Sequence, residues 1–233
     1  MWRLLCGFGV LWCVTSAWAA SPQRITATYD LYRGEMLIAV VEEQFEREGD
    51  GYRLSSVARP VGLLAMFRPE TIQTNSSGQV TAQGLRPLTF HYVREKDAAR
   101  SSSALFDWQK GSVVVTLGAA QQTLTLPIGA QDRLSGMYQF MFQPVRAGTS
   151  VTFPLLNGVS MNSQRYVVAA GEQCALAPSN PATWYLDNQS KPGESRTEIW
   201  LLRQSPVLPC KIRMTEGNGT VFVQQLRRLV VVP

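Results

Sequence analysis

The stretch "RITATYDLYRGEMLIAVVEEQFEREGDGYRLSSVA", residues 24–58, decides how the chain folds. Apolar and polar residues alternate along it, and the alternation breaks at Arg33-Gly34 and at Gly49-Asp50-Gly51. Period-two patterning between glycine turns predicts three antiparallel strands, near 24–32, 36–46 and 51–58. The same reading extends outward to strands at 70–74, 79–84, 88–95, 103–109, 112–118 and 121–126, with "NSSG" (75–78) and "QKG" (109–111) as breaks. Beyond residue 150 the strands resume. Asn157-Gly158 marks a hairpin, and 196–204, 210–219 and 220–231 form a closing meander. The Pro-, Asn- and Ser-rich segment 175–195 reads as a long loop. The expected fold class is mainly β: an antiparallel curled sheet or half-open β-barrel.

Before the first strand stands a leader. Met1–Arg3 is a short positive start, Leu4–Val14 an apolar run of 11 residues, and Ala17-Trp18-Ala19 a small-x-small cleavage pattern. The run falls short of the roughly 20 residues that span a bilayer. Residues 1–19 therefore read as a cleaved signal peptide, leaving 20–233 as a single β-barrel-like domain in the periplasm. A lipid-modified Cys13 is disfavoured, because bulky Trp12 precedes it. The full chain carries 22 basic and 17 acidic side chains. Loss of Arg3 with the leader leaves 21 against 17, a net +4 spread along the chain, which argues against nucleic-acid binding. An outer-membrane barrel would want strands of about ten residues with aromatic girdles, a pattern this sequence does not present.

Cys6 and Cys13 leave with the leader. Cys174 and Cys210 remain, and two cysteines in an exported chain most simply form one structural disulfide, worth about 4 kcal/mol in the chain-entropy model. Two thiols and one distant histidine are too few ligands for a metal site. H-E-x-x-H, Walker and paired C-x-x-C patterns are absent, so no cofactor or metal is expected.

One segment breaks the strand pattern. In "QDRLSGMYQFMF" (131–142), Leu134, Met137, Tyr138 and Met141 fall on one face of a helix, predicted over about 131–143. Asp132 stands where its carboxylate caps the first free N–H groups, a reading favoured over a catalytic one. Pro144 supplies a stop. A hydrolase would need His91, the single histidine, to meet Ser135 or Ser103 and Asp107, or Asp107 to face Asp132 as a glycosidase pair. No G-x-S-x-G elbow supports the first arrangement.

The loop "RPVGLLAMFRPE" (59–70) is too apolar to stay exposed without covering something. Leu63, Leu64, Met66 and Phe67 either fold over the core or form a lip over a hydrophobic pocket or against lipid. In the second case Arg59 and Arg68 would meet head groups.

Several pieces in order carry a resemblance: "YDLYRGEMLIA" (29–39), "GLRPLTFHY" (84–92), "LFDW" (105–108), "QDRLSGMYQF" (131–140) and "EIWLLRQSPVLPCKIRMTEGNGT" (198–220). Together they resemble the exported proteobacterial family catalogued as domain-of-unknown-function 3108. The resemblance implies a periplasmic, curled barrel-like sheet with a helix and no established activity, so it transfers no catalytic residue. Cys174 and Cys210 depart from the family pattern.

The leading expectation is a non-enzymatic periplasmic protein that binds or carries an apolar or amphipathic, lipid-like ligand inside the barrel. Leu63, Leu64, Met66 and Phe67 from the loop, with Met137, Tyr138 and Met141 from the helix, would contact it. Peripheral membrane contact belongs to the same expectation. A cell-envelope protein–protein interaction module and a hydrolase are the alternatives.

Overall fold

The structure, a computed structural model, describes residues 22–67, 69–176 and 178–233. The expected leader and Arg68 lie outside the described residues. The chain opens with β1 (Arg24–Arg33), β2 (Met36–Glu48), β3 (Gly51–Pro60) and a six-residue helix, α1 (Gly62–Phe67). Next come β4 (Ile72–Thr81), β5 (Gly84–Arg94), β6 (Ser102–Asp107), β7 (Ser112–Leu117) and β8 (Ala120–Thr125). A crossing segment then carries β9 (Gln131–Asp132) and α2 (Ser135–Tyr138), ending in a 3-10 turn at Gln139–Phe142. After it follow β10 (Ser150–Asn157), β11 (Ser160–Ala170), β12 (Thr183–Asp187) and β13 (Arg196–Leu202). β14 (Pro209–Thr215) and β15 (Val221–Val232) end the chain.

All fifteen strands belong to one sheet, ordered β8-β7-β6-β5-β4-β3-β2-β1-β15-β14-β13-β12-β11-β10-β9. Every pairing is antiparallel except the short β9–β10 pair, Gln131↔Leu155 and Asp132↔Leu156. Hairpin connections produce this meander, and β1 pairing with β15 brings the two ends of the strand series together at its middle. The sheet curls without closing, so β8 and β9 are its edges. This is the mainly β, half-open barrel that the alternation predicts.

The alternation sets the faces. Ile25, Ala27 and Tyr29 of β1, Val41, Glu43 and Phe45 of β2, and Tyr52 and Leu54 of β3 all point inward and are buried. The opposite parity makes a polar outer face. One cross-strand row reads Thr26, Gln44, Ser55, Asn75, His91, Ser103, Thr116 and Gln121. That face is the reverse of the apolar band a membrane barrel turns to lipid.

The interior is filled by the chain itself. Ala130, Gln131, Asp132, Leu134, Ser135, Tyr138, Gln139 and Phe140 of the crossing segment are all buried. Leu134 and Tyr138 pack with Phe45, Tyr52, Leu54 and Phe90 on one flank. Phe140 packs edge-on against Phe153 and Tyr166 on the other. Tyr138 stacks on Phe45 with ring centroids 5.8 Å apart.

Three expectations need correction in detail. The helix expected over 131–143 is confined to Ser135–Tyr138 and the following 3-10 turn, while Gln131–Asp132 is strand. Most of the segment is buried, and its side chains bond neighbouring strands and turns where a longer helix would bond itself. "NSSG" (75–78) is not a break but the middle of β4; Ser76 points inward and bonds Tyr52. Segment 175–195 contains β12, held between β11 and β13 by pairings such as Val168↔Leu186 and Leu186↔Ile199. Cys174, just before it, stands at disulfide distance from Cys210 of β14, with Cα atoms 6.3 Å apart.

Gly78 has a specific task. The β4–β5 register shifts between Ser77 and Gly78, opposite Pro87, whose missing N–H suits a bulge. A Cβ at Gly78 would overlap the Arg86 carbonyl oxygen and approach Pro87 Cα to 2.8 Å. Gly78→Ala is therefore expected to destabilise the fold by roughly 1–3 kcal/mol, read as a lower urea midpoint at unchanged m-value. An unchanged midpoint would show that β5 yields freely at the bulge.

Candidate functional site

The polar residues of the crossing segment are held by their neighbours rather than presented to solvent. Asp132 Oδ1 accepts the N–H groups of Leu134 (2.9 Å) and Ser135 (2.8 Å), and its Oδ2 accepts the Ser76 hydroxyl at 2.6 Å. Burial pushes its carboxyl above the ordinary range, against these hydrogen bonds that pull it down. The Gln139 side chain accepts the Leu85 N–H (2.7 Å) and donates to the Gln83 carbonyl (2.9 Å). Gln131 Nε2 donates to the Leu85 carbonyl at 2.8 Å. These bonds dock the segment against the β4–β5 hairpin.

A second buried carboxyl, Glu43 on β2, escapes the sequence reading although its signal is present. It shares parity with Val41 and Phe45, and so points inward. It accepts hydrogen bonds from the Tyr138 hydroxyl (3.1 Å), Ser56 Oγ (3.4 Å) and Gln224 Nε2 (3.4 Å). Burial pushes its pKa up to about 7, and the three donors hold it from rising further.

The candidate hydrolytic groups are not assembled. His91 lies on the outer face of β5, directly across from Ser103, whereas Ser135 is inside. Asp107 is four residues along β6 from Ser103, roughly 13 Å at strand spacing. It caps the exposed turn there, accepting the Gln109 and Lys110 N–H groups at 3.2 and 2.9 Å and pairing with Lys110 Nζ at 3.0 Å. The Lys110 contacts hold its carboxyl below the usual range. Asp107 and Asp132 therefore sit on opposite sides of the sheet wall and form no catalytic pair. Among the described residues, no group of three or more His, Cys, Asp or Glu side chains is placed to hold a metal.

The predicted ligand contacts separate into two groups. Tyr138 is fully buried, with Met137 and Met141 half-buried around it in the core. The loop residues stand outside. In α1, Leu63 is 61% exposed, Met66 76% and Phe67 79%, and only Leu64 and Ala65 are half-buried. The helix rests on β2 and β3, with the Val61 N–H donating to the Ile38 carbonyl at 3.0 Å. Met36, at the start of β2, is 56% exposed and extends the apolar surface. Ion pairs tie the loop at both ends: Arg59 to Glu42 before the helix, and Glu70 to Arg94 after it. Arg59 and Glu42 both stay more than half exposed in that pair, 55% and 56%. The ties leave the apolar middle raised as a tip.

A family profile described as "Protein of unknown function (DUF3108)" matches residues 28–226, from the middle of β1 to the middle of β15. The chain belongs to the DUF3108 family. The crystal structure of a beta-barrel-like protein of domain of unknown function DUF1849 from Brucella abortus is similar to it, with a TM-score of 0.53. That likeness covers 91% of this chain and 98% of the other at 15% identity, and it is a likeness of fold. No curated protein matches the chain. In this DUF3108 member, then, the chemistry must be argued from the tip and the buried carboxyls themselves.

The buried carboxyls make a pH signature. The unfolded chain loses the Glu43 proton near 4.5, while the folded chain keeps it to about 7. Between those values the folded state binds the extra proton, so Glu43 makes stability fall as pH rises, by at most about 1.4 kcal/mol per pH unit. Asp132, also raised, acts with the same sign. Chemical denaturation from pH 4.5 to 7 is expected to show a steeper fall for the wild type than for Glu43→Gln. Parallel profiles would mean that Glu43 is ionised in the fold throughout.

Proposed function

We propose that this protein is an exported, non-enzymatic binding protein of the periplasm whose working surface is the apolar tip made by α1 and Met36. One observation carries the reading: Leu63, Met66 and Phe67 lie largely in solvent on a helix of six residues, anchored at both ends by ion pairs. Fully burying such a side chain is worth about 1.5–3 kcal/mol. Three together supply enough for reversible attachment to an amphipathic surface such as a lipid interface. The lipid-like partner meets the outside of the barrel rather than its interior, because the crossing segment occupies the space a carried ligand would need. Cys174 and Cys210 at disulfide distance are compatible with an oxidising compartment, and hence with export behind a leader cleaved after Ala19.

A second reading, docking to another envelope protein through the same tip, is favoured by the uncharged make-up of α1. Residues 62–67 carry no charged side chain, so the tip itself is apolar, as the core of a protein interface is.

Flotation with phosphatidylcholine vesicles, with and without phosphatidylglycerol, tests the proposal. The wild-type mature chain is expected to float, and the double variant Met66→Asp, Phe67→Asp to lose about tenfold or more in apparent affinity. Its thermal unfolding should be unchanged, since both side chains are exposed. Equal flotation of both would remove the tip as the working surface. Absence of flotation, with one discrete protein adduct from a photocrosslinker at Phe67 in cells, would establish the protein-partner reading.

A further inference from the structure

The free edge of the sheet at β8 lacks the usual protections. β8, "AQQTLT", is exposed at every residue except Leu124, and its single strand partner is β7. Edge strands are normally guarded by charge, proline or a bulge. Here no charged residue occurs between Lys110 and Asp132, β8 contains no proline, and the β7–β8 register runs without a shift.

The hydrogen-bond parity tells which groups are free. The Leu126 N–H donates to the Gly111 carbonyl, so Val113↔Leu124, Val115↔Gln122 and Leu117↔Ala120 are the bonded pairs of this ladder. The Gly118 N–H donates to the Ser101 carbonyl, which turns Ser112, Val114 and Thr116 toward β6 and agrees with that assignment. Gln121, Thr123 and Thr125 must then direct both N–H and C=O away from the sheet. Among the described residues these groups have no backbone partner.

Beside the edge lies an open hollow of about 280 Å³, lined by Val115, Leu117, Ala120, Gln121, Gln122 and Val159. Val159 belongs to the β10–β11 turn, on the far side of the unclosed seam, and the Gln122 side chain reaches across to its carbonyl at 2.5 Å. Ala120, Gln122 and Leu124 face the barrel interior, as do their partners Leu117, Val115 and Val113. A strand added alongside β8 would therefore place alternate side chains toward this mostly apolar hollow.

We propose that β8 is a docking edge for an extended, uncharged segment of another polypeptide, bound by strand addition. Backbone bonds to Gln121, Thr123 and Thr125 supply the affinity. The hollow between Leu117, Ala120 and Val159 selects small or β-branched side chains at alternate positions. The absence of charge on the edge fits a segment without charge, since a buried unpaired carboxylate or ammonium would be costly at the seam. A second copy of the chain is a poorer occupant. A six-residue edge pairing falls short of the roughly 1,000 Å² that a stable association between folded proteins requires.

The test uses the ¹⁵N-labelled mature chain and a synthetic peptide, acetyl-Thr-Val-Thr-Val-Thr-Val-Thr-amide, with an analogue N-methylated at alternate residues. The expected result is saturable shifts and slowed solvent exchange at the amides of Gln121, Thr123 and Thr125. The analogue and Thr123→Pro should each bind about tenfold more weakly or worse, the loss of one or two hydrogen bonds. Thr123 donates nothing to β7, so the substitution leaves the ladder intact. Should that variant fail to fold, the analogue makes the same comparison on the wild type. The proposal is overturned if these amides stay unshifted up to roughly 1 mM peptide, a concentration matching the weakest useful affinities. Equal binding of the methylated analogue, or protection of the amides in a concentration-dependent dimer without peptide, overturns it equally.

Discussion

The docking of residues 130–140 inside an unclosed sheet is the constraint on which the rest of this protein depends. Strands β8 and β9 do not zip the barrel shut, so backbone hydrogen bonding alone does not hold the curl. The crossing segment does that work from within. Gln139 bonds the β4–β5 turn at Gln83 and the start of β5 at Leu85, Gln131 bonds Leu85, and Asp132 bonds Ser76 of β4. Phe140 meanwhile belongs to the core of β10–β13. One short stretch thus ties the first half of the sheet to the second. Gly84 shows how close the fit is: its φ is +107°, and a Cβ there would overlap the Gln139 amide.

This arrangement decides where function can reside. Buried polar groups are tolerated when their hydrogen bonds are met, and Asp132, Glu43, Ser76 and Gln139 all have partners. Each of these side chains holds another part of the chain. The crossing segment occupies the interior that a large barrel otherwise leaves as a channel or cavity. The surfaces left open are the rim, where α1 raises an apolar tip, and the seam, where β8 ends the sheet without a further strand. Both features lie where the meander fails to cover itself.

Much of this was legible in the chain. Alternation between Arg24 and Ala58 specified strands and turns with almost no error, because strand side chains alternate whatever the partner, while the parity that looks inward was set only by pairing. Asn157-Gly158 placed its hairpin for a similarly local reason, since Gly158 takes a φ of +60° that few other residues accept. The apolar content of residues 61–67 marked the tip, although whether it folded inward or stood outside was open. Glu43 was readable in principle, as an acid on the buried parity of β2. Its charge drew attention away from its position.

What composition could not carry were the decisions made by distant partners. "NSSG" has the local chemistry of a turn, yet it runs as strand because β3 and β5 flank it and a bulge opposite Gly78 absorbs the mismatch. Residues 183–187 lie among turn-forming neighbours, and became β12 only through pairing with β11 and β13. Leu134, Met137, Tyr138 and Met141 carry the spacing of a helix that buries one face. Tyr138 in fact reaches Glu43, 95 residues earlier, and residues on both faces of the segment are buried, Ser135 and Gln139 as well as Leu134 and Tyr138. By itself, then, the sequence determined the strand class, the alternation of faces and the glycine turns such as those at 33–34, 49–51 and 157–158, all governed by neighbouring residues. Tertiary structure alone decided that the barrel stays open and is filled by its own chain, because burial is a property of partners brought together from far along the chain.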